Sequence, residues 1–266
     1  MNKLIIIAFL IVSLTACTNE TKTQTEAFPQ PETQIASETN DWIYLFDGTS
    51  TKGWRAYNGK ALPPGWIVKD SALTFETELG LEQDYEGARD IIYGLEEFDN
   101  FELYIEWKLP EGGNSGIFYH LKEGYNGPPK VSPEYQLIDD INYAKIHDLT
   151  AYNRSLGHTE NPAELQPLQQ TASDYAMYPA DPNEKTLNPA GEWNTTQIVF
   201  TPEQVEHWLN GKKVLSFVPW SEDWYDRKSK GKWKDTPDYG KFKTGYIGLQ
   251  DHNSPLWFRN IKIKKL

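Results

Sequence analysis

The sequence is short of cysteine. Its 266 residues contain one, Cys17, which follows an apolar N-terminal segment. A single cysteine cannot form a disulfide within the chain, and it cannot build a cysteine metal cluster. A thiol nucleophile in the body of the chain is excluded as well, because no other cysteine follows Cys17.

Basic residues are also scarce. The 26 lysines and arginines face 38 aspartates and glutamates, which gives a formal net charge of −12 at pH 7. An acidic surface repels polyanions, so this charge argues against nucleic acid and anionic lipid as ligands. We therefore expect no nucleic-acid partner.

The N-terminal apolar run is too short to span a membrane. It extends from Leu4 to Leu14 and is interrupted only by Ser13, whereas a membrane-spanning helix needs roughly 20 residues. Lys3 before the run and small residues after it are typical of a signal peptide. The sequence LTAC at positions 14–17 resembles a bacterial lipobox, in which the cysteine is lipidated and becomes the mature N-terminus.

These features predict the organisation of the chain. Residues 1–16 are a lipoprotein signal peptide, and Cys17 carries a lipid that is the protein's only contact with a membrane of the cell envelope. An ordinary signal peptide with an incidental cysteine is the alternative. Residues 17–40 are rich in Thr, Glu, Gln and Pro, so we expect a disordered tether. Residues 41–266 form one domain.

The sequence of that domain has no internal repeat and no long amphipathic helix. Apolar and polar residues alternate in FELYIEWKL (residues 101–109), which is the pattern of a strand with one buried face. Asn210-Gly211 predicts a tight hairpin within residues 193–218, and GYIGLQDHN with LWFRNIKI predicts a further pair of strands. We predict an all-β fold, an antiparallel jelly-roll sandwich. Aromatic residues make up 14% of the chain, which is typical of sandwich proteins that handle sugars, although a dense core would give the same count.

Two segments interrupt the strand pattern. Residues 141–190 are rich in Asn, Pro and Gln with weak periodicity, and long irregular segments in compact domains are usually functional loops. We expect this segment to cover one face of the sandwich. A shorter insertion, residues 221–240, is expected to contain a helical turn and to lie on the outside.

The segment PEYQLIDD (residues 133–140) is unusually acidic for a strand. A single β-bulge between Gln136 and Asp139 would place Glu134, Gln136 and Asp139 on the same side. The resulting Glu-x-Gln-x-x-Asp spacing is that of the Glu-x-Asp-x-x-Glu strand of some jelly-roll glycosidases, with two substitutions. The alternative is that these charges protect an exposed edge strand from aggregation.

Several sequence blocks follow one another along the predicted domain: LFDGTSTKGWRAYNG, EFDNFELYIEWKLPEGGNSGIFYHL, PEYQLIDD, GEWNTTQIVF with HWLNGKKVL, and GYIGLQDH with LWFRNIKI. Together they resemble the 3-keto-disaccharide hydrolase family. The resemblance runs in order over nearly the whole predicted domain, and it implies a concanavalin-like jelly roll that acts on glycosides oxidised to a ketone at C3 of the sugar. Asn253-Ser254-Pro255 replace a glycine that usually follows GLQDH in the family, which affects a turn more than the chemistry.

Cleavage of such a substrate needs a base at C2, a donor for the enolate oxygen and an acid for the leaving group. We assign Glu134 and Asp139 to acid–base work and His252 to a donor or proton-shuttle role. Gln136 positions the sugar. Further substrate contacts are predicted for Asn114, Ser115, His120, Gln250 and Arg154.

A divalent metal is a possible cofactor. Asp139, Asp140, Asp148, Asp251 and the nearby histidines offer oxygen and nitrogen ligands, but no spacing among them is diagnostic. Two further functions are open. The domain could be a non-catalytic carbohydrate-binding module, or it could be a conventional two-carboxylate glycosidase.

Overall fold

A computed structural model describes residues 41–82 and 90–266 of the chain. The predicted signal peptide, the lipidation site at Cys17 and the tether of residues 17–40 lie outside the described residues and stay predictions. Within the described part, no helix is both long enough and apolar enough to cross a membrane.

Thirteen strands account for most of the regular structure in the described residues. Every paired strand is antiparallel to its neighbour. The strands are β1 (Ile43–Phe46), β2 (Trp54–Ala56), β3 (Trp66–Lys69), β4 (Ala72–Phe75), β5 (Ile91–Tyr93), β6 (Phe101–Lys108), β7 (Asn114–Leu121), β8 (Glu134–Ile138), β9 (Asn194–Phe200), β10 (Val205–Leu209), β11 (Lys212–Phe217), β12 (Tyr246–Leu249) and β13 (Leu256–Lys265).

The helices in the described residues are short. Two one-turn 3₁₀ helices, Pro128–Lys130 and Pro167–Gln169, lie in loops. The α-helices are α1 (Thr77–Glu82), α2 (Tyr143–Ile146), α3 (Thr150–Ser155) and α4 (Glu222–Lys230).

The strands form two sheets. The first sheet has the order β11-β10-β9-β6-β13-β4-β3, and β1 pairs with the part of β13 that lies beyond its pairing with β4. The second sheet has the order β2-β5-β12-β7-β8. This arrangement confirms the predicted antiparallel sandwich. The predicted pairing of the last two strands is wrong, because β12 pairs with β5 and β7 while β13 belongs to the other sheet. Short-range sequence cannot reveal this, because the two strands are joined by a connection that crosses between the sheets.

The core lies between the sheets, and β6 shows how the sequence builds it. Phe101, Leu103, Ile105 and Trp107 are buried, and the residues between them are half-buried. The indole N–H of the buried Trp107 ring has a hydrogen-bond acceptor, because it donates to the hydroxyl of Thr196 at 2.9 Å. The alternation predicted from FELYIEWKL is confirmed.

The tight turn between β10 and β11 follows the predicted geometry. Asn210 has a φ of 48° and Gly211 a φ of 79°. A two-residue turn with positive φ at both central positions matches the twist of the strands that it joins. The turn therefore fixes the β10–β11 pairing locally.

Residues 141–190, here called the covering loop, lie against the edge of the second sheet. Strand β8 pairs with β7 on one side, and on the other side the N–H of Gln136 donates to the carbonyl of Ser173 at 3.1 Å. The N–H of Ala172 donates to Gln136 and that of Tyr175 to Glu134, both at 2.9 Å. The edge of β8 is thus already paired, so its acidic residues do not protect an exposed edge.

Candidate active site

A cavity of about 390 Å³ lies between the β7–β8 pair and the segments that cover it. Strand β8 supplies its floor through Glu134, Gln136 and Ile138, and the intervening Tyr135 and Leu137 belong to the core between the sheets. This is the ordinary alternation of a strand. The described lining residues are Asn114, Pro129, Glu134, Gln136, Ile138, Tyr143, Leu149, Tyr152, Leu165, Gln169, Tyr175, Lys232, Gln250 and His252.

Glu134 is a buried carboxyl group that faces this cavity. Only 3% of the residue is exposed, and desolvation raises the pKa of its carboxyl group to about 8. The ammonium of Lys232 opposes the rise, whereas the carboxyl groups of Asp90 and Asp174 add to it. Burial disfavours the charged form of a carboxyl group, so Glu134 is mainly neutral at pH 7.

Gly116 on β7 makes room for the Glu134 side chain. A Cβ placed on Gly116 would come within 2.1 Å of Glu134 Oε1. A glycine in the middle of a strand often marks a site where another group approaches the backbone closely. Here that group is the candidate catalytic carboxyl, so Gly116 belongs to the site although it offers no side chain.

Gln136 holds Glu134 in place. In the amide orientation that satisfies both partners, its nitrogen donates to Glu134 Oε1 at 3.2 Å and to the carbonyl of Ser115 at 3.0 Å. Asn114 on β7, the register partner of Ile138, donates to the hydroxyl of Tyr143 at 3.3 Å. The carbonyl oxygen of the Asn114 side chain is buried and has no partner, which leaves an acceptor for a ligand hydroxyl.

The loop after β12 brings Gln250 and His252 to the cavity, as predicted. The hydroxyl of Ser115 donates to the carbonyl of Gln250 at 2.8 Å and holds this loop against β7. Ser115 therefore holds the loop in place. It is not among the described residues that line the cavity, contrary to its predicted contact with substrate. Desolvation lowers the pKa of His252 below its usual 6.5, and the charges of His147 and Lys232 lower it further.

Lys232 comes from the second insertion, residues 221–240, which was expected to lie on the outside of the domain. The insertion is anchored by its neighbour Trp233, whose ring is buried and stacks on Tyr239 at 4.3 Å. The indole N–H of Trp233 donates to the carbonyl of Tyr175 at 3.2 Å. Lys232 itself donates to the hydroxyls of Tyr152 at 2.9 Å and Tyr175 at 3.2 Å.

Asp139 does not join Glu134 in the cavity, so the predicted bulge is wrong. The β7–β8 register is unbroken from Phe118↔Glu134 to Asn114↔Ile138, and the N–H of Asp139 continues it by donating to Gly113. Regular alternation places Asp139 on the opposite face. Its carboxylate instead accepts the N–H groups of Gly112 at 2.9 Å and Ile141 at 3.1 Å. Desolvation alone would raise the pKa of Asp139, but these hydrogen bonds lower it.

Two further predicted contacts lie elsewhere. His120 is 2% exposed at the end of β7, where its Nε2 contacts the carbonyl of Asp99 at 2.7 Å and burial lowers its pKa to about 4. Arg154 is exposed on α3 and is not among the described lining residues. Both are structural or surface residues, and the cation in the cavity is Lys232.

The residues proposed for a metal do not assemble into a centre. Among the described residues, no group of three or more His, Cys, Asp or Glu side chains is arranged to hold a metal ion. Asp140 forms an ion pair with Lys185 at 2.7 Å, and Asp148 accepts the N–H of Thr150 at 2.9 Å. These carboxylates therefore have structural partners.

Comparisons with known proteins identify the family of this chain. Residues 41–264 match a family model described as a 3-keto-alpha-glucoside-1,2-lyase-like domain. The chain belongs to this family. The resemblance inferred from the sequence blocks is thereby confirmed, and the chain is a glycoside hydrolase-like enzyme.

Relatives of this family member include proteins from Bacteroides thetaiotaomicron and Parabacteroides distasonis. A 3-keto-disaccharide hydrolase from Bacteroides thetaiotaomicron is 34% identical over 254 residues, which cover 88% of this chain and 81% of the relative. A crystal structure from Parabacteroides distasonis, of a protein proposed to be a glycosyl hydrolase, is 38% identical with a TM-score of 0.72 and covers 85% of this chain and 94% of that one. A second from the same organism is 24% identical, has a TM-score of 0.56 over 85% of this chain and all of that one, and shows the shared fold.

Four residues of the site in this family member were not predicted from the sequence: Gly116, Tyr152, Tyr175 and Lys232. A signal existed for Gly116, because a glycine inside a strand pattern suggests a close approach. The other three lie in irregular insertions, where no periodicity indicates which side chain points inward.

Proposed function

We propose that this protein cleaves glycosides that carry a ketone at C3 of the sugar, by elimination followed by hydration. One observation carries the proposal: the buried carboxyl group of Glu134, the imidazole of His252 and the amine of Lys232 line one cavity. The relative named as a 3-keto-disaccharide hydrolase supports the substrate class.

The chemistry follows from the acidity of the C2 hydrogen. A ketone at C3 lets a base remove this proton, and the electron pair moves onto the C3 oxygen as an enolate. When the enolate collapses, a C1–C2 double bond forms and the C1–oxygen bond to the leaving group breaks. The leaving oxygen takes a proton. Water then adds at C1 and a proton returns to C2, so the overall reaction is hydrolysis.

His252 and Glu134 suit the two proton transfers. Desolvation lowers the pKa of His252, which favours the neutral imidazole that can accept the C2 proton. The raised pKa of Glu134 keeps its carboxyl group protonated, so it can donate to the leaving oxygen. Environments that push two pKa values apart are typical of an acid–base pair. Asn114, Gln136 and Gln250 offer hydrogen bonds to sugar hydroxyls.

A conventional glycosidase is less well supported. That chemistry needs two carboxyl groups that flank the glycosidic bond, roughly 5 to 9.5 Å apart. Glu134 is the sole carboxyl group among the described residues that line the cavity. A carbohydrate-binding module is less well supported as well, because binding gains nothing from a buried acid that is kept neutral.

The proposal is tested with a 3-keto disaccharide and its unoxidised parent in deuterated water. We expect wild-type protein to cleave the oxidised sugar alone. His252→Asn should lose both C2 deuterium exchange and cleavage by about 10²- to 10⁴-fold, because both need the base. Glu134→Gln should keep C2 exchange and lose cleavage by a similar factor. The exposed Glu203→Gln serves as the matched control.

Two results would contradict the proposal. One is cleavage of the unoxidised disaccharide at the same rate as the oxidised one. The other is wild-type cleavage by both His252→Asn and Glu134→Gln, which would leave the two residues without a chemical role.

The proposal also includes a location. The sequence of residues 1–17 supports a lipid-anchored protein of the cell envelope.

A further inference from the structure

Lys232, Tyr152 and Tyr175 form a compact polar group in the wall of the cavity, here called the lysine–tyrosine site. The Lys232 ammonium donates to the hydroxyls of Tyr152 at 2.9 Å and Tyr175 at 3.2 Å, and the two hydroxyls are 2.6 Å apart. All three residues line the cavity. Tyr152, on α3, and Tyr175 belong to the covering loop, and Lys232 belongs to the insertion of residues 221–240. Both segments are therefore needed to build the site.

The Lys232 ammonium is surrounded by aromatic rings. The ammonium lies 4.2 Å from the centroid of the Tyr175 ring and 4.7 Å from that of Trp233. Aromatic faces attract a cation but carry no net charge. Among the ion pairs of the described residues none involves Lys232, although its charge reaches both Glu134 and His252. The cavity thus holds a cation that lacks a counter-ion in the described structure.

A count of donors shows what the site can bind. An ammonium has three N–H donors, and two of those of Lys232 point to tyrosine oxygens. Two hydroxyls that share one hydrogen bond use one of their two protons. One N–H and one O–H are left without an acceptor in the described residues. Two donors, one of them charged, are what an oxyanion requires.

We infer that the lysine–tyrosine site binds the oxygen at C3 of the sugar and stabilises the negative charge that this oxygen gains when the C2 proton leaves. The inference rests on the proposed function and adds the third group that the reaction needs. The site is close to both the base and the acid, so the charge develops where the cation already lies. Because the donors are in place before reaction, no solvent must reorganise as the charge forms.

Lys232 is the first residue to change. Lys232→Met should lower kcat and the rate of C2 deuterium exchange together by about 10²- to 10³-fold, with KM changed only a few-fold, because the charge exists only after proton removal. Lys232→Gln is a second, polar variant in case the methionine disturbs the wall. The exposed Lys234→Met, two residues away, is the matched control and should behave as wild type.

The tyrosines give a sharper test. In Tyr152→Phe the hydroxyl of Tyr175 keeps a proton that can still reach the ligand, and the converse holds for Tyr175→Phe. We expect each single variant to change kcat by about threefold or less, and the double variant to lose at least about tenfold more than the product of the two single effects. Such non-additivity is expected for groups that act as one unit. A structural role would give additive losses of stability instead.

Different failures are distinguishable. Wild-type protein that neither cleaves nor exchanges the oxidised sugar would overturn the proposed function, and this inference with it. Wild-type activity combined with an unaffected Lys232→Met would overturn this inference alone. A raised KM with unchanged kcat in Lys232→Met would show that the site binds a group already charged in the substrate, and it would overturn this inference. Substrate-dependent inactivation by borohydride would show that Lys232 forms an imine with the ketone.

Discussion

Glu134 and Asp139 are carboxyl groups five positions apart, and their surroundings give them opposite protonation behaviour. Glu134 is buried where desolvation outweighs the charge of Lys232, and its pKa rises to about 8. Asp139 is also buried, but N–H groups of Gly112, Ile141 and Asn142 point at its oxygens and lower its pKa. Hydrogen bonds to a carboxylate favour the charged form, whereas burial without them favours the neutral form. The side-chain type alone therefore does not identify the catalytic acid.

This difference predicts the effect of two matched amide substitutions. Asp139→Asn should lower the free energy of unfolding by about 1 kcal/mol, because the amide keeps an acceptor oxygen but loses its charge. It should leave kcat within a few-fold of wild type. Glu134→Gln should lose turnover by at least about 100-fold. Urea denaturation and steady-state kinetics on both variants measure the two effects. Loss of turnover in a fully stable Asp139→Asn would return Asp139 to the catalytic machinery.

At the scale of elements, the β7–β8 pair is the structural basis of the site. Gly116 and Gln136 are direct partners in the register, and the Glu134 side chain lies over Gly116. The φ angle of Gly116 is not in the left-handed region, so its backbone conformation would accept an alanine. An alanine methyl group would instead clash with the Glu134 side chain. The pairing register thus decides where the carboxyl group points.

Gly116→Ala should consequently displace the Glu134 side chain. We expect a loss of about 1–3 kcal/mol in unfolding free energy from overpacking, together with a large loss of kcat. The same glycine substitution in a Glu134→Ala background should cost less, with a coupling energy of about 1 kcal/mol or more. Denaturation of the wild type, both single variants and the double variant gives this energy. Additive costs would mean that Gly116 does not make room for Glu134.

Local patterns and long-range pairing differ in how far the sequence determines them. The alternation in β6 and the Asn210-Gly211 turn were predicted correctly because neighbouring residues decide both. The partner strand of β12 was not predicted correctly, because several strands with a similar pattern could pair with β12 across the whole fold. The bulge after Gln136 was wrong for the same reason: register depends on the partner strand, and the sequence of β8 alone permits either phase.

At the scale of the whole molecule, the sandwich supplies a rigid floor and the insertions supply the walls. Glu134, Gln136 and His252 come from strands or strand ends, and sequence reasoning found them through strand patterns and the family resemblance. Lys232 and Tyr175 come from insertions that fold against the sheet through contacts such as the Trp233–Tyr239 stack. Those contacts are long-range, so the sequence offers no local signal for the wall.

Buried titratable groups also make the stability of the whole molecule depend on pH. Glu134 and Asp174 have pKa values of about 8 in the folded state, against usual values of 4.5 and 3.8. His120 and His207 have values of about 4, against 6.5. Above pH 6.5 the histidines are mostly neutral in both states and add little slope. Between pH 6.5 and 8 the folded carboxyl groups hold protons that the unfolded chain has released, so stability must fall as pH rises.

We expect the free energy of unfolding to decrease by on the order of 2 kcal/mol between pH 6.5 and 8 and to level off roughly one pH unit above that range. Glu134→Gln and Asp174→Asn should each flatten the decrease, because a neutral amide has no proton to lose. The exposed Glu203→Gln should leave the slope unchanged. Urea denaturation at several pH values gives the slope directly. An unfolding free energy that stays constant or rises over this range would mean that Glu134 is already ionised in the folded protein, and it could then not serve as the acid.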